Sequence, residues 1–205
     1  MRIGKMLAPA LFVAVIGAGG TAQAAVNDAA RFINQLGNQA IAALRAPGLT
    51  LEQRESQFRG LLAEGFDLRF IGRFVLGKYW RMATPAQQND YLALYEEYVL
   101  QTYSARLGGY AGQSLTVIDA RQASEKDVVV RTNIERPSAP PIVAEWRVRT
   151  TDGRFRIIDV AVEGISMAVT QRSEFASVVQ RDGIDGLLTI LRARTTKLPA
   201  TAALY

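Results

Sequence analysis

Asp159 lies inside the apolar run Ile157-Ile158-Asp159-Val160-Ala161-Val162. A carboxylate desolvated in such a strand has a raised pKa and can act as a general base. Ketosteroid-isomerase-like enzymes use this arrangement in a sheet-plus-helix cone. The simpler alternative is a structural aspartate that accepts backbone N–H groups or pairs with an arginine such as Arg73 or Arg172. Little else in the chain offers catalysis. Its 205 residues contain no histidine and no cysteine. That removes Ser-His-Asp and Cys-His nucleophile systems, most zinc sites and the usual neutral-pH proton shuttle. Asp119, Glu145 and Glu163 read as solvated strand-face residues. Gly108-Gly109 ends a helical pattern instead of opening one, so it lacks the setting of a phosphate loop. The expected class is a binding protein and not an enzyme.

The elements that would position these residues begin with a helical pattern over 26–46, stopped by Pro47-Gly48. Thr50 with Gln53 forms a capping box that starts a second helix, and Gly65 is its expected end. Asp67 caps a short apolar helix to Leu76, followed by Gly77 and the aromatic connector Lys78-Tyr79-Trp80-Arg81-Met82. Thr84-Pro85-Ala86-Gln87 starts another helix, expected to reach Leu107 before Gly108-Gly109. Its inward face is Tyr91, Leu94, Tyr95, Tyr98 and Thr102.

The period then changes to two. Strands are expected at 115–120, 127–135, from Pro140-Pro141 through Arg149, and at 154–163, with Asp152-Gly153 as a hairpin turn. In the third strand Ile142, Ala144, Trp146 and Val148 share one face. In the fourth, Phe155 and Ile157 lose phase with Ile158, Val160 and Val162, which predicts a bulge or a strand covered on both faces. Helices return at 165–180 and 185–194, broken at Asp182-Gly183. Helices, an antiparallel meander and helices again make one α+β domain.

The N-terminus reads as an export signal: Arg2 and Lys5, a short apolar run to Gly20, then Ala22-Gln23-Ala24. Cleavage after Ala24 is expected, leaving a soluble domain over 25–195 and a tail over 196–205. No cysteine follows the small residues to carry a lipid anchor. Net charge is +5 and falls to 5 − 2 = +3 without Arg2 and Lys5. Without a basic run, nucleic acid is not an expected partner. The mild basicity suits an anionic membrane surface or an acidic protein.

A curved antiparallel sheet facing helices makes a natural cavity. Its candidate lining is Phe70, Phe74, Tyr79, Trp80, Leu94, Tyr98, Trp146, Val148, Val160, Val162, Ile165 and Met167. Periodicity does not separate a hollow core from a filled one, and apolar residues at such spacing are usually packing.

The segment Glu145-Trp146-Arg147-Val148, with Asp152-Gly153-Arg154-Phe155 and Asp159-Val160-Ala161-Val162-Glu163-Gly164-Ile165-Ser166, resembles the MlaC (toluene-tolerance) family. So do Gln171-Arg172-Ser173-Glu174-Phe175 and Gly186-Leu187-Leu188. Upstream, Phe66-Asp67, Arg73, Leu76-Gly77, Tyr79-Trp80 and Thr84-Pro85 fit its helical region. The resemblance implies a periplasmic, monomeric carrier with an NTF2-like curved antiparallel sheet of about four strands backed by helices. It implies an apolar cavity holding the tails of a phospholipid whose headgroup stays outside. It also implies two partners, an inner-membrane ABC transporter complex with its substrate-binding-domain protein and an outer-membrane lipoprotein–porin complex. The bound phospholipid is cargo, and no cofactor is implied. Some relatives are linked to hopanoids, so an apolar polycyclic lipid is the alternative cargo.

Overall fold

The computed structural model describes residues 19–104 and 112–196. Most of the export-signal reading, the break at Gly108-Gly109 and the tail beyond Thr196 lie outside the described residues. The elements are α1 (Gly19–Arg45), α2 (Leu51–Gly65), α3 (Leu68–Leu76), a 3-10 turn (Gly77–Arg81) and α4 (Pro85–Ser104). Strands β1 (Ser114–Gln122), β2 (Asp127–Arg136), β3 (Ala139–Thr151), β4 (Arg154–Val162) and β5 (Ile165–Ser166) follow, then α5 (Met167–Thr196). The strands form one antiparallel sheet in the order β1-β2-β3-β4-β5. The expected α+β meander is present, with the two-residue β5 as an addition to the four strands read from the sequence.

Local chemistry accounts for the boundaries. In both capping boxes the threonine hydroxyl accepts the amide of the third residue and that glutamine returns to the threonine amide: Thr50 with Gln53, at 3.2 and 2.9 Å, and Thr84 with Gln87, at 3.2 and 3.0 Å. Asp67 Oδ1 accepts from Phe70 N at 2.9 Å and starts α3. The Asp152-Gly153 turn has φ of 50° and 73°, and Glu163-Gly164 has φ of 49° and 80°. Such paired positive values suit two-residue hairpins of the primed type. The expected break at Asp182-Gly183 is a kink at Gly183, φ 73°, from which α5 continues to Thr196.

The loss of phase in the fourth strand is a bulge. Val148 pairs with Ile157 and Arg147 with Asp159, so Ile158 is the extra residue. Phe155 and Ile157 before it, and Val160 and Val162 after it, thereby share one face with Trp146 and Val148. A second shift at Ile118 in β1 does the same for Val117 and Ala120. Bulges bend the strands that carry them and increase their twist.

Two apolar cores result. The sheet core joins Val26, Ala29 and Ile33 of α1 to Val128, Val130, Val148 and Ile157. The helical core joins α3, α4 and α5 through Val75, Leu76, Tyr91, Tyr95, Phe175, Leu187 and Leu191. Phe66 packs against both cores. Beside it Asp67 N donates to Ile157 O at 2.9 Å, in an isolated parallel bridge between Phe66 and Ile157. The helical layer therefore joins the sheet at its β4 edge.

On the sheet face away from α1, Asp127 is 2% exposed. Arg149 grips it with Nε at 2.7 Å and Nη2 at 3.1 Å, and Arg147 lies 3.5 Å away. The Arg149 hydrogen bond holds the Asp127 carboxyl below the ordinary aspartate range. The guanidinium also lies 4.7 Å from the centre of the Phe70 ring, tying α3 to the sheet. Because the folded pKa is depressed, this contribution is complete above the unfolded aspartate pKa of about 3.9 and is lost as pH falls below it. Asp127→Asn should cost about 1.5–3 kcal/mol at neutral pH. In urea titrations the penalty should shrink toward pH 3; a penalty independent of pH would contradict the ion-pair account.

Candidate functional site: a divided groove at the junction of the two cores

A groove of about 610 Å³ opens between α1, the end of α2 and the β3–β4 hairpin. Phe32, Leu36, Leu61 and Phe155 give it apolar walls, and Gln35, Gln39, Glu64, Arg154 and Arg156 give it a polar rim. Phe32 and Leu36 are one helical turn apart on α1, and Phe32 meets Phe155 with ring centres 5.9 Å apart. Gly65 lets α2 approach closely, since a Cβ there would stand 2.7 Å from Leu36 Cδ2. A second groove of about 440 Å³ lies beside it, lined by Phe66, Leu68, Arg69, Glu96, Thr151 and Asp152 among others. Arg154 and Arg156 line both. The Arg156 guanidinium donates to the carbonyl of Glu64, closing the end of α2 and standing as a partition between the grooves. Their volumes fall in the ordinary range for small-molecule sites, ~300–1,000 Å³.

Seven of the twelve residues singled out from the sequence divide between the two cores, and none of the twelve lines either groove. Trp146, Val148 and Val160 stand in the sheet core with the groove residues Phe32, Leu36 and Phe155. Tyr79, Trp80, Leu94 and Tyr98 stand in or against the helical core. Phe70, Phe74, Trp80 and Tyr98 each lie under an arginine, Arg149, Arg172, Arg73 and Arg194 respectively, at 4.7–5.7 Å. Val162 and Met167 are half-buried, and Ile165 is exposed. Phe32, Leu36, Leu61 and Phe155 are not among the lining residues expected from the sequence. The usable signal was the early phase of β4, which puts Phe155 on the face that α1 covers.

Asp159 is engaged on both oxygens. Oδ2 accepts from Ser166 Oγ at 2.6 Å and Oδ1 from Ala168 N at 3.2 Å. It caps the first turn of α5 from the neighbouring strand, as an acidic group at a helix N-terminus should. Neither expected arginine reaches it: Arg73 lies over Trp80 and Arg172 over Phe74. Glu163 is likewise more than a solvated face residue, since Oε1 accepts from Val143 N at 2.7 Å and its own amide donates to Val143 O. The segment from Asp159 to Ser166 thus closes the β4–β5 turn and launches α5. Burial pushes the hydroxyl pKa values of Tyr91 and Tyr95 up. They serve as neutral donors, to Gly72 O at 3.0 Å and to Gln171 Oε1 at 2.7 Å. Among the described residues no cluster of histidine, cysteine, aspartate or glutamate could hold a metal. Asp159→Ala should lower unfolding free energy by about 0.5–2 kcal/mol, the range for a lost helix cap. An unchanged denaturant midpoint would contradict the capping role.

The sequence profile of the MlaC protein family matches residues 34–193. The chain is 24% identical over 127 residues to the intermembrane phospholipid transport system binding protein MlaC of Haemophilus influenzae, covering 60% of this chain and 59% of that protein. It is 27% identical over 108 residues to the toluene tolerance protein ttg2D of Pseudomonas putida, covering 53% and 50%. The matches thus span about half to three-fifths of the length of these relatives. A phospholipid-binding protein from Ralstonia solanacearum, solved in complex with a phospholipid, superposes with a TM-score of 0.72 at 22% identity, over 82% of this chain and 97% of that one. With a profile match across most of its length and a shared fold, the chain belongs to the MlaC family.

Proposed function

We propose that this protein is a periplasmic carrier that takes up one phospholipid by its acyl tails and passes it between the two membranes of the envelope. In this reading an outer-membrane lipoprotein–porin complex and an inner-membrane ABC transporter with its substrate-binding-domain protein are its partners. The observation that carries the reading is the divided groove at the junction of the two cores in a chain of this family. The tails enter between α1, α2 and β4. They pass Phe32, Leu36, Leu61 and Phe155 and reach Trp146, Val148 and Val160. The polar rim of Gln35, Gln39, Arg154 and Arg156 leaves the headgroup in water. Tyr79, Trp80, Leu94 and Tyr98 pack the helical layer behind the grooves, and Phe70, Phe74, Val162, Ile165 and Met167 lie outside the tail path.

Each methylene taken out of water is worth ~0.8 kcal/mol, so two tails supply a large driving force without any polar recognition motif. Such binding is too tight to reverse unaided. Release follows from partners that favour an emptied form, because a ligand moves a conformational equilibrium only through its preference between states. An isomerase centred on Asp159 has less support, since both carboxylate oxygens are committed to Ser166 and to α5.

Mass spectrometry of an organic extract of protein exported to the periplasm should find near one phospholipid per chain. A hopanoid at that ratio would keep the carrier and change the cargo, and no lipid above a mock purification would overturn the reading. Gln35→Trp, at an exposed position on the groove wall, should leave the fold unchanged. If it displaces about three methylenes it weakens lipid binding by roughly 50-fold. Undiminished loading would move the tail site elsewhere.

A further inference from the structure

Some of the described arginines are matched to carboxylates. Arg31, Arg59, Arg147, Arg149, Arg181 and Arg192 form ion pairs with Asp28, Glu97, Asp127, Asp182 and Asp90. Other described cations, Arg69, Arg121, Arg131 and Arg154 among them, stand outside these pairs, but one group of four is clustered with exposed apolar side chains. Arg73 at the end of α3, Lys78 and Arg81 on the 3-10 turn and Arg172 on α5 are all exposed, and none has a carboxylate within ion-pair distance among the described residues. Asp67 caps α3 and Asp159 caps α5, and the exposed Glu174, two residues from Arg172, does not share its helix face.

These cations stand on elements that touch one another. Arg172 lies 5.1 Å from the centre of the Phe74 ring, and its guanidinium would be within 3.0 Å of a Cβ at Gly77. Arg73 lies 5.2 Å from the centre of the Trp80 ring. Large apolar side chains are exposed among them: Phe74 at 37%, Met82 at 69% and Val169 at 52%. Val169 and Arg172 are three residues apart and share a face of α5.

Unpaired cations interleaved with exposed apolar side chains are the composition of a surface that rests in a lipid interface. The aliphatic and aromatic groups enter the headgroup–acyl boundary while the cations meet phosphates. An acidic protein would satisfy the charges but leave Met82 and Val169 without a favourable environment unless it also offered an apolar pocket. We infer that the surface formed by α3, the 3-10 turn and the first turns of α5 docks the protein reversibly on an anionic phospholipid bilayer. Rotamer freedom of the cations is already reduced by the rings beneath Arg73 and Arg172. The binding is electrostatic in part and therefore weakens as salt rises. It uses none of the groove residues, so docking and cargo loading are separable.

The test is flotation of the purified full chain with vesicles of phosphatidylglycerol and phosphatidylcholine, compared with phosphatidylcholine alone, at low and physiological salt. The protein should float with the anionic vesicles only, and less so at the higher salt. The variant Arg73→Gln/Lys78→Gln/Arg81→Gln/Arg172→Gln should lose up to several hundred-fold in partitioning, about fivefold per cation near the surface. A second variant, Met82→Ser/Val169→Ser, changes only exposed side chains. It should reduce anionic-vesicle binding while circular dichroism and bound lipid per chain stay as in the parent. Equal flotation with both vesicle types, or full binding by the second variant, would overturn the inference. So would retention on polyglutamate without vesicle binding, which would assign the surface to an acidic protein. Loss of bound lipid in the parent protein would instead count against the carrier reading and leave the docking result to stand by itself.

Discussion

The extra residue Ile158 in β4 is the constraint on which the rest of the molecule depends. Alternation along a strand places every second side chain on one face, and one inserted residue exchanges the faces beyond it. Here the exchange keeps Phe155, Ile157 and Val160 in the core under α1. It also turns Asp159 to the opposite face, where it caps α5. On the same strand the Ile157 carbonyl takes the amide of Asp67, and the Arg156 guanidinium closes α2. One short strand therefore sets the sheet core, starts the last helix and fixes where the helical layer joins the sheet.

That junction divides the apolar interior. A single continuous core would leave no weak line along which a ligand could enter, because interiors pack as densely as organic crystals. Two cores joined mainly through Phe66 and β4 do leave such a line, and the grooves lie along it. In the proposed carrier the sheet with α1 and the helical layer keep their own packing while the tails occupy the space between α1, α2 and β4. At that line the Glu64 carbonyl is already held by the Arg156 guanidinium.

Much of this architecture was legible in the sequence because it is written in local chemistry. The threonine–glutamine boxes, the Asp67 cap, the Asp152-Gly153 turn and the alternation of Ile142, Ala144, Trp146 and Val148 each depend on neighbours close in the chain. The broken phase of β4 announced its bulge. The candidate site was less legible. Tyr79, Tyr98 and Trp146 are large and periodic, but periodicity reports which side faces inward and not whether that interior is hollow. The groove instead depends on Gly65 meeting Leu36 and on Phe32 meeting Phe155, contacts between distant segments. For Asp159 the sequence offered a backbone N–H or an arginine as partner; the structure gives the backbone amide of Ala168 with the Ser166 hydroxyl, brought back by the Glu163-Gly164 turn.

The most direct test of the carrier account is photocrosslinking of phospholipid-loaded protein with a photoreactive phenylalanine analogue placed at Gln39 and, in a separate preparation, at Tyr98. Gln39 lines the larger groove, whereas Tyr98 packs against the helical core. The account predicts covalent capture of phospholipid at Gln39 and none at Tyr98. Capture at Tyr98 alone would place the tails within the helical layer and contradict the assignment of the groove.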